Sequence, residues 1–135
     1  MDAPQTPGDW RYGKTSYGSQ AAYVDGPRQG PVAPPAPVAA LECRNGAVRL
    51  LVKGTSTQPV AMRILTESME RSLTAAPYVP ASGIPQFFYV DFQPRDPLLD
   101  AMAISKGRFA VETAGFATLY LPSWPEVTRV IEDCR

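Results

Sequence analysis

The sequence contains no histidine among its 135 residues. Histidine is the commonest general base, proton shuttle and metal ligand near neutral pH, so its absence excludes the largest group of catalytic and metal-binding arrangements. The serines and threonines have no imidazole partner, and no G-x-G-x-x-G dinucleotide fingerprint occurs. We therefore expect a protein that is not an enzyme and that has no catalytic residues, no cofactor and no bound metal.

Cysteine is scarce as well, since only Cys43 and Cys134 are present and no C-x-x-C redox motif occurs. Both fall on apolar faces of predicted elements, which is compatible with one disulfide or with two reduced, buried thiols in a cytosolic protein. We predict the Cys43–Cys134 disulfide, which would contribute about 4–5 kcal/mol on the chain-entropy model. A disulfide requires an oxidising compartment, so we expect a periplasmic or secreted protein.

Neither sign of charge is in excess, because thirteen basic and thirteen acidic residues are scattered along the chain. A basic nucleic-acid footprint is absent, and no apolar run approaches the ~20 residues of a transmembrane helix. The first ten residues, MDAPQTPGDW, lack the charged and apolar regions of a secretory signal. Our hypothesis is that a signal peptide has been removed and that Met1 is an artificial start residue.

Proline, in contrast, is abundant, with fifteen residues against the ~5% usual in proteins. This content favours loops and short strands over a helical bundle, and the length corresponds to a single domain, residues 1–135. Residues 1–9 are predicted to form a flexible N-terminal arm and residues 26–37 a proline-rich loop. The loop is interpreted as a connector, with a polyproline ligand motif as the alternative.

Alternating apolar residues between the loops predict about eight short strands. The clearest pair is Val38–Arg44 and Ala47–Lys53, joined by an Asn-Gly turn that is typical of β-hairpins. Aromatic residues in 86–92 predict a central strand. Strands joined by tight turns pair antiparallel, so we predict an α+β fold, mainly antiparallel β in a sandwich or strongly bent sheet, with two short helices near the C-terminus. Three prolines are expected to interrupt regular structure before the central strand: Pro77, Pro80 and Pro85.

The last forty residues predict a helix, a hairpin and a second helix. Asp96 is expected to cap the first helix, with Pro97 at its first position. Gly107 is expected to end this helix, because glycine readily adopts the left-handed backbone conformation.

The hairpin that follows is predicted to place its second strand over residues 116–121 and to end at Pro122. The final helix is expected to begin with a capping box, in which Ser123 and Glu126 each satisfy a backbone amide near the other. A buried stripe on this helix includes Cys134, because it continues a spacing of three and four apolar positions.

The closing residues contain DPLLDAMAISKGRFAVE at 96–112 and LPSWPEVTRVIEDCR at 121–135. They resemble a group of uncharacterised exported proteins of alphaproteobacteria, whose C-terminal pattern is DPLLDAMAxSxGRFAVE followed by LPxWPEVxRVxEDCR. Residues 38–75 show a looser similarity. A more distant similarity is to periplasmic proteins of the invasion-associated locus B type. The resemblance implies an exported, disulfide-bearing, β-rich domain, and it assigns no catalytic residue.

Two groups of residues are candidates for a ligand or partner surface. Aromatic residues in the first strands would mark a partner or glycan surface if they are exposed, and the alternative is packing in the core. Basic residues that bracket the first closing helix would form a small anion site, and the alternative is ordinary solvated charge. The candidate surface residues are Trp10, Tyr12, Arg95, Lys106 and Arg108.

We predict a non-enzymatic, exported binding or interaction domain whose partner is another envelope protein or a small ligand. One alternative is a cell-envelope hydrolase or hydrolase inhibitor, and its candidate carboxylates are Asp91, Asp96 and Asp100. These lack a fixed separation for glycosidase chemistry and the spacing of a calcium loop. Another alternative is a structural subunit of an envelope oligomer, and the sequence leaves the oligomeric state open.

Overall fold

The structure, a computed structural model, describes residues 3–26 and 37–135. Within these ranges the chain forms two helices and nine strands, and all the strands belong to one antiparallel sheet. The predicted α+β class is confirmed, with nine strands in place of about eight. In chain order the elements are β1 (Asp9–Thr15), β2 (Gly18–Val24), β3 (Ala39–Arg44), β4 (Ala47–Lys53), β5 (Val60–Leu65), β6 (Glu70–Tyr78), β7 (Phe87–Phe92), α1 (Pro97–Ile104), β8 (Arg108–Thr113), β9 (Leu119–Pro122) and α2 (Pro125–Asp133).

The order of strands across the sheet is β1-β2-β3-β4-β7-β6-β5-β8-β9. The predicted Asn-Gly hairpin between β3 and β4 is confirmed, because Asn45 and Gly46 both have positive φ, at 50° and 82°. The strands bury alternate residues in one core against the two helices. Fully buried core residues include Leu41, Leu50, Ile64, Phe88, Phe109 and Leu121.

Strand β6 joins the two halves of the sheet, because its first part pairs with β5 and its last part with β7. The prediction that Pro77 interrupts regular structure is wrong, since β6 continues through Pro77 to Tyr78. Pairing with β5 ends at Ala75, so at Pro77 only β7 is adjacent. A proline without an N–H is tolerated where a strand has a partner on one side.

The two outer strands, β1 and β9, approach each other and close the curled sheet. The backbone N–H of Thr6 donates to the carbonyl of Tyr120 at 2.9 Å, and the N–H of Tyr120 donates to the Thr6 hydroxyl at 2.8 Å. The indole N–H of Trp10 donates to the carbonyl of Pro122 at 2.8 Å. We call these contacts the seam. Thr6, in the arm predicted to be flexible, thus contacts β9, and residues 27–36 of the proline-rich loop lie outside the described residues.

Helix α1 begins as predicted, because the Asp96 carboxylate accepts the N–H of Leu98 at 2.9 Å and Pro97 occupies the first turn. The predicted end is wrong, since the helix stops at Ile104 and Gly107, with φ 81°, lies beyond it. The extended residue Ser105 ends the helix, and its hydroxyl donates to the carbonyl of Arg108.

Helix α2 lacks the predicted capping box. Its cap residue is Trp124, which makes no side-chain capping bond, and the Ser123 hydroxyl donates to the carbonyl of Met102 at 2.7 Å. A tertiary contact with α1 has therefore replaced the local bond that the motif predicts. The predicted buried stripe is confirmed for Val127, Val130 and Ile131, whereas Cys134 directly follows the helix and is half-buried.

The hairpin of β8 and β9 has a longer turn than predicted. Gly115 has φ 85° and turns the chain as expected, but β9 begins only at Leu119. Phe116 to Thr118 therefore belong to the turn instead of to a strand. This difference matters below, because the longer turn forms one wall of a pocket.

Candidate functional site

Because neighbouring strands run antiparallel, the connections between them lie at two opposite ends of the sheet. Helices α1 and α2 lie at the end where β3 turns into β4, and we call this the helix end. The opposite end contains the last residue of β4, the β8–β9 turn and the segment between β6 and β7. A pocket lies there, so we call it the pocket end.

The predicted disulfide is present and fastens the helix end. Cys43 of β3 and Cys134, directly after α2, are joined with their Cα atoms 5.4 Å apart and 91 residues apart in sequence. Gly18 of β2 allows this packing, because a Cβ at Gly18 would lie 2.2 Å from the carbonyl oxygen of Cys43. The covalent bond therefore holds α2 against strands β1, β2 and β3.

The pocket has a volume of about 320 Å³, and most of its surface is apolar. Val52 is an inward-facing core residue, so the pocket is continuous with the core of the curled sheet. Small-molecule sites are typically concave and mainly apolar, with volumes of about 300–1,000 Å³. The mouth of a closed β-sheet is one of their usual positions. The apolar wall is formed by Val38, Val52, Gly54, Phe116, Ala117 and Leu119.

Gly54 lies in the pocket wall and packs closely against a core aromatic ring. It is buried, and a Cβ there would lie 2.3 Å from a ring carbon of Phe88. The Phe88 ring therefore occupies the space beside Gly54 and packs edge-on against Phe116, with ring centroids 5.4 Å apart. The backbone N–H of Gly54 donates to the carbonyl of Gln86 at 2.9 Å, which joins the pocket wall to the segment before β7.

The rim of the pocket combines one charge with exposed apolar side chains. Lys53 and Thr55 supply the polar part of the lining, and Lys53 is its one charged residue among those that the structure describes. Phe116 lines the pocket and is 37% exposed, and Val79 and Ile84, between β6 and β7 at the same end, are 61% and 62% exposed. Three of the four exposed large apolar residues identified therefore lie at the pocket end.

The three carboxylates considered for hydrolase chemistry are each paired with an arginine. Asp96 pairs with Arg71 through two hydrogen bonds of 2.6 and 2.9 Å, and Arg71 lowers the pKa of Asp96. Arg135 donates twice to Asp100 and lowers its pKa in the same way. The third pair is Arg49 with Asp91, at 2.8 and 3.0 Å.

The aromatic residues predicted as a candidate surface are mainly structural. Trp10 is only 4% exposed, because its ring packs edge-on against Tyr23 and its N–H is used in the seam, so it is not part of a surface. Tyr12 is half-buried and donates its hydroxyl proton to Asp133, with the guanidinium of Arg129 4.0 Å above its ring. Burial raises the pKa of Tyr23.

The three candidate basic residues do not converge on one anion site. Arg95 precedes α1, whereas Lys106 and Arg108 follow it, and a helix of eight residues separates them by about 12 Å along its axis. Arg108 is half-buried and donates to the carbonyl of Ala3 at 2.7 Å, which connects it to the N-terminal segment. We therefore infer that Arg108 holds the N-terminal segment in place.

The sequence prediction of no cofactor overlooked one phosphate-binding motif. Residues 8–15, GDWRYGKT, match the G-x-x-x-x-G-K-T consensus of a phosphate-binding P-loop. That motif requires a loop between a strand and a helix, so that free backbone amides surround the phosphates. Here residues 9–15 are strand β1 and pair antiparallel with β2 over their whole length. The structural context of a P-loop is therefore lacking.

The pocket itself could not be found from sequence, because its walls come from three separate regions: the start of β3, the end of β4 and the β8–β9 turn. Within residues 3–26 and 37–135, no group of three potential metal ligands is found, and neither helix has the length and apolar character of a membrane span. No protein-family model, curated protein sequence or solved structure matches the chain significantly.

Proposed function

We propose that the protein is an exported binding domain that takes a small, mainly apolar ligand at the pocket end. The observation that carries this proposal is the apolar pocket of about 320 Å³ that continues the core of the curled sheet. A concave, mainly apolar recess beside a filled core is typical of a small-molecule site, and transfer of an apolar ligand from water into such a recess is favourable.

The two ends of the sheet differ in structure, and this difference supports the proposal. The helix end is fastened by the Cys43–Cys134 disulfide, and the pocket end lies across the sheet from that bond. The disulfide thus stabilises the fold from the end that the ligand would not occupy, and the pocket end remains open to a ligand.

Export is the second part of the proposal. It rests on the disulfide, because disulfides persist in oxidising compartments and are rare in the cytosol. The resemblance of the closing residues to exported proteins agrees with it. Alkylation under non-reducing conditions, followed by mass spectrometry of protein from its native host, tests this part. Two alkylated cysteines in freshly recovered protein would contradict it.

The ligand site is tested with phenylnaphthylamine, a neutral apolar fluorophore whose emission rises when it leaves water. We expect saturable fluorescence enhancement with the wild-type protein. Ala117→Phe is expected to abolish it, because Ala117 is exposed at the pocket wall and a phenyl ring there would fill the recess.

Ala114→Phe is the matched control, since Ala114 is exposed in the same turn but does not line this pocket. Both variants should keep the wild-type unfolding transition, and Ala114→Phe should keep wild-type dye binding. Equal dye binding by all three proteins, or no binding by any of them, would reject the pocket as the ligand site.

A further inference from the structure

The rim charge indicates which class of apolar ligand the pocket would accept. Lys53 is the one charged residue in the described lining, and no carboxylate accompanies it there. Lys53 is exposed, and none of the ion pairs found among the described residues includes it. Five of the nine arginines among the described residues, in contrast, form ion pairs with carboxylates.

We propose that the ligand is a single-chain amphiphile with an anionic head, whose apolar chain lies in the pocket and whose head meets Lys53 at the rim. This inference rests on the proposed function, because it specifies the ligand of the same pocket. The apolar wall excludes a ligand that is polar throughout, since such a ligand would lose its hydrogen bonds to water without replacement.

The exposed apolar residues of the pocket end favour a ligand with an extended apolar chain over a compact apolar ligand. Phe116 lines the pocket and remains 37% exposed, so it can cover part of a chain that extends beyond the recess. Ile84 lies two residues before Gln86, which is bonded to Gly54 of the wall. An extended apolar chain would remove part of this exposed apolar surface from water, which is favourable.

The position of Lys53 in the strand explains why the head would stay in water. Val52 faces the core, and Lys53, as the next residue, points to the other side of β4, with its backbone N–H donating to the carbonyl of Val38. Lys53 nevertheless lines the mouth of the pocket and is exposed, so its flexible side chain is within reach of a head group at the rim. A head group that meets it there keeps part of its hydration, so the charge is not buried unpaired.

The test compares three probes with the same chain: decanoate, decanol and decyltrimethylammonium, measured by displacement of phenylnaphthylamine. The quantity of interest is the ratio of decanoate affinity to decanol affinity. We expect Lys53→Met to lower this ratio about three- to fivefold, the value for one partly exposed ion pair. Lys53→Arg should retain the ratio, and added salt should reduce it in every protein that keeps a cation at position 53 but not in Lys53→Met.

Lys106→Met is the matched control, because Lys106 is an exposed lysine at the helix end. It should leave the ratio unchanged. If Lys53→Met also leaves the ratio unchanged, or if the cationic probe binds as well as decanoate, the anionic head is rejected while the pocket stands. If neither phenylnaphthylamine nor any of the three probes binds, the proposed function itself fails.

Discussion

The indole N–H of Trp10 donates to the carbonyl of Pro122, although the two residues are 112 positions apart. Trp10 lies in the first strand and Pro122 ends the last strand, so this bond joins the two outer strands of the sheet. It is buried, and its donor is a side chain instead of the backbone amide that a regular ladder would use. The side-chain hydrogen bond of Trp10 therefore takes part in closing the sheet.

We expect Trp10→Phe to lower the free energy of unfolding by about 1–3 kcal/mol, because the buried carbonyl of Pro122 loses its donor. The loss of ring volume next to Tyr23 adds to this effect. Chemical denaturation followed by circular dichroism measures the change. The control is Trp124→Phe, since the Trp124 side chain makes no capping hydrogen bond and is only partly buried. Equal losses in the two variants would show that ring size, not the bond, is responsible.

Removal of the disulfide by the double substitution Cys43→Ser and Cys134→Ser should lower the free energy of unfolding by about 4–5 kcal/mol, because the unfolded chain regains the freedom of a long loop. Equilibrium denaturation without reductant measures this. The molecules that remain folded should bind phenylnaphthylamine with unchanged affinity, because the pocket lies at the other end. A change in dye affinity among folded molecules would show that the two ends are coupled.

Gly18→Ala should destabilise the protein by at least about 2 kcal/mol. The new Cβ would lie 2.2 Å from the Cys43 carbonyl oxygen, and Gly18 has φ 154°, which disfavours a side chain. Thermal unfolding and the rate of disulfide reduction by dithiothreitol both report the effect. Gly13→Ala is the control, because a Cβ at Gly13 meets nothing within 4 Å. A neutral Gly18→Ala variant would contradict the packing of β2 against the disulfide.

The Asp96–Arg71 pair predicts a specific acid sensitivity. Arg71 and the N–H of Leu98 lower the pKa of Asp96 in the folded protein, so its stabilising contribution is complete above the unfolded pKa of about 4. The contribution is lost as the pH falls through the lower, folded pKa. Asp96→Asn should therefore cost about 1 kcal/mol near neutral pH, since asparagine keeps the cap but loses the ion pair, and the two proteins should converge in acid.

Denaturation with urea over the acidic range measures this convergence. Asp25→Asn is the control, because Asp25 is exposed and forms none of the ion pairs found among residues 3–26 and 37–135. Its unfolding free energy should follow that of the wild-type protein at every pH. A constant difference between wild type and Asp96→Asn down to the acid limit would show that the ion pair is not the cause.

The features that sequence predicted correctly are those set by near neighbours. The Asn45-Gly46 turn and the Asp96 cap are local, and the apolar stripe of α2 follows from its own spacing. Ser123 was misassigned because a carbonyl of α1, distant in sequence, competes for its hydroxyl. Pro77 was misassigned because its tolerance depends on which strand lies beside β6.

The pocket and the seam could not be predicted for the same reason, since each depends on the final curvature of the sheet. Phe116 in a turn was one available signal, because a large aromatic residue beside Gly115 is unusual for a solvent-exposed turn. The turn was predicted to be shorter, so Phe116 was placed in a strand. The disulfide was predictable because only two cysteines are present, which leaves one possible pair.

The contacts that Thr6 and Trp10 make with β9 have a consequence for self-association. Outer strands of a sheet ordinarily offer unused amides and carbonyls to a neighbouring molecule, which invites fibre growth or strand exchange. At this sheet, the Thr6 bonds to Tyr120 and the ring of Trp10 occupy that position, and Pro122 has no N–H to offer. Another copy of the chain would have to displace Thr6 before it could extend the sheet beyond Tyr120, so dimers formed by continuing the sheet from β9 are disfavoured.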